Sequence, residues 1–170
     1  LVFMHRPVES CADTRLPRCT VVVPAYNEGR QVLMTLRSLD ASDYPKDKPQ
    51  LIAVDDGSVD GTWQWIQRAR TTLNSRLLTI RQLRNLCKRH ALYAGVQRST
   101  GEIPGIVDSD CAVEPSTLKN LVAPFVSDWK TGGVAGNMRV LNMNQGMLPK
   151  MLDTIFVFSF DFMWASRSMV

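Results

Sequence analysis

Four short aliphatic and β-branched runs dominate this sequence: Cys19–Val23, Leu51–Val54, Leu77–Ile80 and Ile103–Val107. Between them, apolar residues recur at helical spacing instead, as in Val32, Leu33, Leu36 and Leu39 after the first run and Trp63 and Ile66 after the second. Ala91, Leu92, Ala94 and Val96 follow the third run, and Leu118, Leu121, Val122 and Phe125 follow the fourth, with Pro115 opening that helix. Strands alternating with helices predict an α/β fold, a mainly parallel sheet with helices on both faces and right-handed crossovers. Residues 1–18 carry few periodic apolar positions and read as an irregular lead-in or linker, so the domain spans 19–170. A chain of 170 residues, 45% of them hydrophobic, is long enough for one core. A further strand or pair of strands is expected over Gly132–Gly136 and Met138–Leu141, and a long apolar helix over Gly146–Ser166.

In such sheets ligands bind beyond the C-terminal ends of the strands, at a topological switch point. Three polar motifs fall at strand exits: Pro24–Glu28 after the first run, Asp55–Ser58 after the second and Asp108–Asp110 after the fourth. They are therefore expected to converge on one crevice. If the extended backbone continues past Val107, a buried strand end, Asp108 and Asp110 project the same way. Two such carboxylates need a cation, and hard divalent ions take oxygen ligands together with substrate phosphates. A solvated turn is the plain alternative, because Asp and Ser serve turns well. Asp55-Asp56-Gly57-Ser58 reads either as a turn or as a carboxylate meeting a ring N–H or ribose hydroxyl, with Gly57 permitting close backbone approach. Thr62 or Asp60 is expected to cap the helix that follows. Arg84 to His90 reads as a basic loop ahead of a helix N-terminus, where anions are favoured. Tyr26 offers a ring that can stack on a nucleobase or pack internally.

Other classes lose support. The net charge of +4 suits an anionic ligand or membrane surface but is too small and dispersed for nucleic acid. Cys11, Cys19, Cys87 and Cys111 show no metal-ligand spacing and fit reduced thiols better than a disulfide framework. The sequence contains no G-x-G-x-x-G, no phosphate-binding G-x-x-x-x-G-K-[ST] and no G-x-S-x-G. Leu152 to Ala165 is interrupted by Asp153 and Asp161 and falls short of a membrane span.

Taken in order, Val21-Val-Val-Pro-Ala-Tyr-Asn-Glu28, Val54-Asp-Asp-Gly-Ser-Val-Asp-Gly-Thr62, Lys88-Arg89, Val107-Asp-Ser-Asp110 and Gly133-Val-Ala-Gly136 resemble the inverting GT-A glycosyltransferases. Among these the chain is most similar to the membrane-embedded synthases of hyaluronan, chitin and cellulose, over Cys19 to Arg139. The resemblance implies a GT-A, Rossmann-like sheet and a nucleotide-sugar donor, commonly UDP-linked. It also implies a divalent metal, Mg²⁺ or Mn²⁺. Ala25, Tyr26 and Glu28 would line the nucleotide pocket, and Asp56 would address the uracil. Lys88 and Arg89 would lie near the diphosphate. Asp108 and Asp110 would form the D-x-D motif, with Asp110 as direct metal ligand. The implied reaction transfers a sugar to a growing polysaccharide with inversion, at the cytosolic face of a membrane held by parts of the parent protein outside this chain. The general base and Q-x-x-R-W motif of that family do not occur before Val170, so the chain is expected to be a C-terminally incomplete catalytic domain, inactive alone. Rival readings are a non-processive transferase acting on a lipid or protein, a nucleotidyltransferase and a non-catalytic nucleotide-binding module. A nucleotidyltransferase needs a glycine-rich basic loop after the first strand, which Pro24–Glu28 is not.

Overall fold

The structure, a computed structural model, describes residues 13–74, 76–136 and 147–151. The chain divides into two compact units, residues 8–132 and a second made of 1–7 with 133–170. In the second unit the described residues 147–151 are helical, whereas 133–136 are irregular. The strand expected at Met138–Leu141 and most of the helix expected at Gly146–Ser166 lie outside the described residues. No helix among the described residues is long and apolar enough to cross a membrane.

The first unit begins with a 3₁₀ turn at Asp13–Arg15. It continues as β1 (Cys19–Ala25), α1 (Gln31–Asp40), β2 (Pro49–Asp55), α2 (Thr62–Thr72), β3 (Leu77–Arg81), α3 (Lys88–Val96), β4 (Ile103–Ile106) and α4 (Thr117–Ser127). The strands form a parallel sheet in the order β3-β2-β1-β4. Val22 pairs with Ile52 of β2 on one side and Ile106 of β4 on the other. β1 is therefore central, and all seven of its residues are buried.

Alternate residues of β1 and β2 feed two apolar layers, as the period of two in a strand requires. Val21, Val23, Leu51 and Ala53 pack with Leu33 and Leu36 of α1, Ile66 of α2 and Leu118 and Val122 of α4. Val22, Ile52 and Val54 face the other way, against Ala91 of α3. A Cβ on Gly95 would lie 2.4 Å from Val22 Cγ1, so α3 approaches the sheet as closely as its backbone allows. The expected α/β architecture with helices on both faces is the observed one.

Two local expectations are corrected. β4 is not a buried strand: it borders the sheet among the described residues, alternates half-buried and exposed positions, and leaves Ile106 55% exposed. Lys88, Arg89 and His90 are not in a loop but form the first turn of α3. The sheet order fixes where a ligand can bind. The chain steps outward from β1 to β2 and β3, then crosses back to β4 on the other side of β1. The strand order reverses between β1 and β4, and their C-terminal ends open a crevice there.

Candidate functional site

The segment leaving β1 is fastened to the segment leaving β2. Asn27 (φ 54°) and Gly29 (φ 55°) adopt left-handed conformations, which Asn and Gly tolerate best. Their backbone N–H groups are met by the segment leaving β2. Asn27 N donates to Ser58 Oγ at 3.0 Å, Val59 N donates to Asn27 Oδ1 at 3.0 Å, and Glu28 N and Gly29 N both donate to Thr62 Oγ1 at 2.9 Å. Asp60 Oδ2 accepts from Gly29 N at 3.1 Å, and its Oδ1 accepts from Thr62 N at 2.9 Å. The Thr62 hydroxyl beside Asp60 holds that carboxyl below its ordinary range. Gly61, not Thr62 or Asp60, occupies the N-cap position of α2. The Thr62 hydroxyl instead supports the β1 loop.

Asp55 and Asp56, adjacent in sequence, have different surroundings. Asp55 is fully buried, accepts from Ser58 N at 3.0 Å and lies 3.3 Å from Arg81 Nε. It shapes the turn. Asp56 lines the crevice, where its Oδ1 accepts from Leu86 N at 2.9 Å. Between them and the α3 approach stands Gly57 at φ 73°, where a Cβ would come within 2.6 Å of Arg84 Cα and Asn85 N. The two backbones can pass only because that atom is missing.

Cys87 precedes α3 with φ 75° and ψ 151°, a region that non-glycine residues avoid. Its N–H donates to Asn85 Oδ1 at 2.9 Å. From the first turn, Lys88 reaches across to β4, and its Nζ stands 2.6 Å from Asp108 Oδ1. Extended backbone stops at Ile106, and Asp108–Cys111 form a turn closed by Cys111 N donating to Asp108 O at 3.2 Å. The expected continuation of the strand through Asp110 is thus replaced by a turn, yet both carboxylates line the crevice. The turn is pinned from behind, where the Thr35 hydroxyl of α1 donates to Ser109 O at 2.7 Å. Burial raises the Cys111 thiol, and the Asp110 and Asp108 carboxylates add to the effect. Cys19, buried in β1, is pushed up to about 11 by desolvation.

Together these segments enclose an open pocket of about 360 Å³. Ala25, Tyr26, Glu28, Asp56, Lys88, Asp108 and Asp110 all line it, and Arg89, although next to Lys88, does not. Asn85, Cys87 and Ser109 also line it without having been singled out from sequence. Their signal was position alone, inside or beside motifs already at strand exits. Among the described residues no group of three or more His, Cys, Asp or Glu gathers as a metal cage. The Asp108 and Asp110 carboxylates in one open pocket fit a hard cation that completes its shell with water and a ligand's own oxygens.

The family model described as glycosyl transferase family 2 matches residues 20–163. A probable glycosyltransferase, YdaM, of Bacillus subtilis is 29% identical over 140 residues, covering 81% of this chain and 33% of that protein. A hyaluronan synthase of Streptococcus pyogenes is 27% identical over 175 residues, covering 99% of this chain and 40% of its own length. The chain thus spans about a third to two fifths of these relatives. Among solved structures, the mannosyltransferase PcManGT of Pyrobaculum calidifontis, in complex with GDP-Man and Mn²⁺, superposes with a TM-score of 0.64. It is 32% identical and covers 72% of this chain and 36% of its own. TarS 1-349 of S. aureus, in complex with UDP-GlcNAc, gives 0.56 at 27% identity, covering 74% and 41%. The sheet is the expected GT-A arrangement, and its neighbours are GT-A glycosyltransferases. The chain belongs to glycosyl transferase family 2.

Proposed function

We propose that this chain forms the donor-binding part of an inverting glycosyltransferase that takes a sugar from a UDP-sugar and adds it to a growing polysaccharide. The observation that carries the reading is the meeting of Asp56, Lys88, Asp108 and Asp110 in one pocket at the β1/β4 switch point. Asp56, held by Leu86 N, is suited to accept from a base N–H. Tyr26, 43% exposed at the mouth, offers a ring to the base. Lys88 and the positive end of the α3 dipole suit a diphosphate, whose charge grows as it leaves. Asp108 and Asp110 would hold Mg²⁺ or Mn²⁺, and a bound cation of this kind supplies charge stabilisation to the departing diphosphate. The acceptor hydroxyl would attack the anomeric carbon from the opposite face. No residue of this chain is assigned the role of general base.

The similarity to a hyaluronan synthase supports a glycan acceptor; a parent protein placed at the cytosolic face of a membrane is part of the same proposal. Complexes of related folds with GDP-Man and UDP-GlcNAc support a nucleotide-sugar donor. Calorimetry of the chain with UDP, GDP and uridine, each with and without Mn²⁺, tests the assignment. Metal-dependent binding that favours UDP is expected. Absence of binding by every nucleotide would leave a non-catalytic module of the same fold.

A further inference from the structure

Four carboxylates line the pocket among the described residues, Glu28, Asp56, Asp108 and Asp110, against one cationic side chain, Lys88. That ammonium is not directed at open solvent: it pairs with Asp108 Oδ1 at 2.6 Å. The two side chains are 58% and 46% exposed, so the pair is solvated and weak. Lysine is a compact charge on a flexible stem and can turn to a stronger anion without moving the backbone. A diphosphate carries more charge than one carboxylate and would draw it away.

We infer that Lys88 stands in for the divalent cation in the nucleotide-free pocket, so that metal binding is strong only when a nucleoside diphosphate draws Lys88 off Asp108. The inference rests on the donor and metal reading above and concerns the order of events at that site. With Lys88 on Asp108, Asp110 remains as the carboxylate open to a cation, and a single carboxylate holds one poorly. With a diphosphate present, Lys88 turns to the phosphates, Asp108 is released, and the cation gains carboxylate and phosphate oxygens together. The same charge balance disfavours nucleotide alone, because all four carboxylates in the pocket then remain without a positive partner. By linkage, the factor by which nucleotide tightens the cation is the factor by which the cation tightens nucleotide.

The test is a cycle of Lys88→Met and Asp108→Asn in the 170-residue chain, with Mn²⁺ titrated without nucleotide and followed by paramagnetic relaxation or calorimetry. Removing Lys88 while Asp108 is present is expected to tighten nucleotide-free Mn²⁺ by about three- to fivefold, the worth of an exposed pair. In the Asp108→Asn background the same removal should change it little. The coupling between UDP and Mn²⁺ should shrink in Lys88→Met by the same factor. Equal tightening in both backgrounds would mean a general charge effect and would overturn the inference, as would no tightening in either. If wild type binds no Mn²⁺ even with saturating UDP, the metal reading itself fails, a result distinct from these. Circular dichroism of each variant shows that the fold is kept.

Discussion

A Cβ placed on Gly57 would lie 2.4 Å from the carbonyl carbon of Arg84, so the turn after β2 and the approach to α3 meet backbone to backbone. This contact brings Leu86 N onto Asp56 and sets the start of α3 beside the pocket. Gly57→Ala is expected to destabilise the fold by about 2–4 kcal/mol, combining the left-handed penalty with forced displacement of a neighbouring backbone. Urea unfolding measures this, and an unchanged midpoint would show that the close passage is dispensable.

Cys87 occupies a backbone region nearly reserved for glycine. Cys87→Gly should relieve about 1–2 kcal/mol of strain, partly offset by the extra freedom of glycine in the unfolded chain. A net gain in thermal midpoint is expected. A loss would mean that the thiol makes a stabilising contact larger than the strain.

Asp60 links acid stability to the β1 loop. Its carboxyl is held below the ordinary value of 3.8, chiefly by the Thr62 hydroxyl. The folded state thus favours the ionised form. Its contribution is complete above that ordinary value and disappears as pH falls through the lower, folded one. The stability difference between wild type and Asp60→Asn should therefore narrow as pH is taken from 5 to about 2. A constant difference in denaturant melts across that range would contradict this.

Asp110→Asn removes a charge from an open pocket and not a core contact. Metal-dependent UDP binding should fall by at least about tenfold, the scale of one charge-assisted contact, with the melting temperature nearly unchanged. Calorimetry with and without Mn²⁺ decides it. Retained metal dependence would shift the ligand role away from this residue.

Lys88→Ala should weaken UDP by about tenfold or more and uridine hardly at all, because the partner of the ammonium would be phosphate. Competition binding with both ligands gives the ratio. Equal losses would mean that Lys88 acts on the nucleoside side or through the fold.

Much of this was readable one segment at a time. The β-branched run at Cys19–Val23 and the helical spacing of Val32, Leu33, Leu36 and Leu39 both reflect local periodicity, and both elements are present. Sequence alone puts the start of α3 too late, because Lys88, Arg89 and His90 are polar and resemble loop composition, although in the fold they are the exposed first turn of the helix. The strand ending in Asp108 was extended too far because nothing local marks the turn that Thr35 pins through Ser109 O, 74 residues away.

By itself, the sequence determined the strand and helix alternation, the polar motifs at strand exits and, through their order, the family. Those are properties of short segments, set by side-chain shape, polarity and period. Only the tertiary structure decided that β4 returns beside β1, that Thr62 holds the Glu28 loop, that Gly57 yields to Arg84, and that Lys88 meets Asp108 while Arg89 stays outside the pocket. Each of these joins residues 20 or more positions apart. Such contacts depend on which way a crossover runs and how closely two backbones pass, and local preference encodes neither.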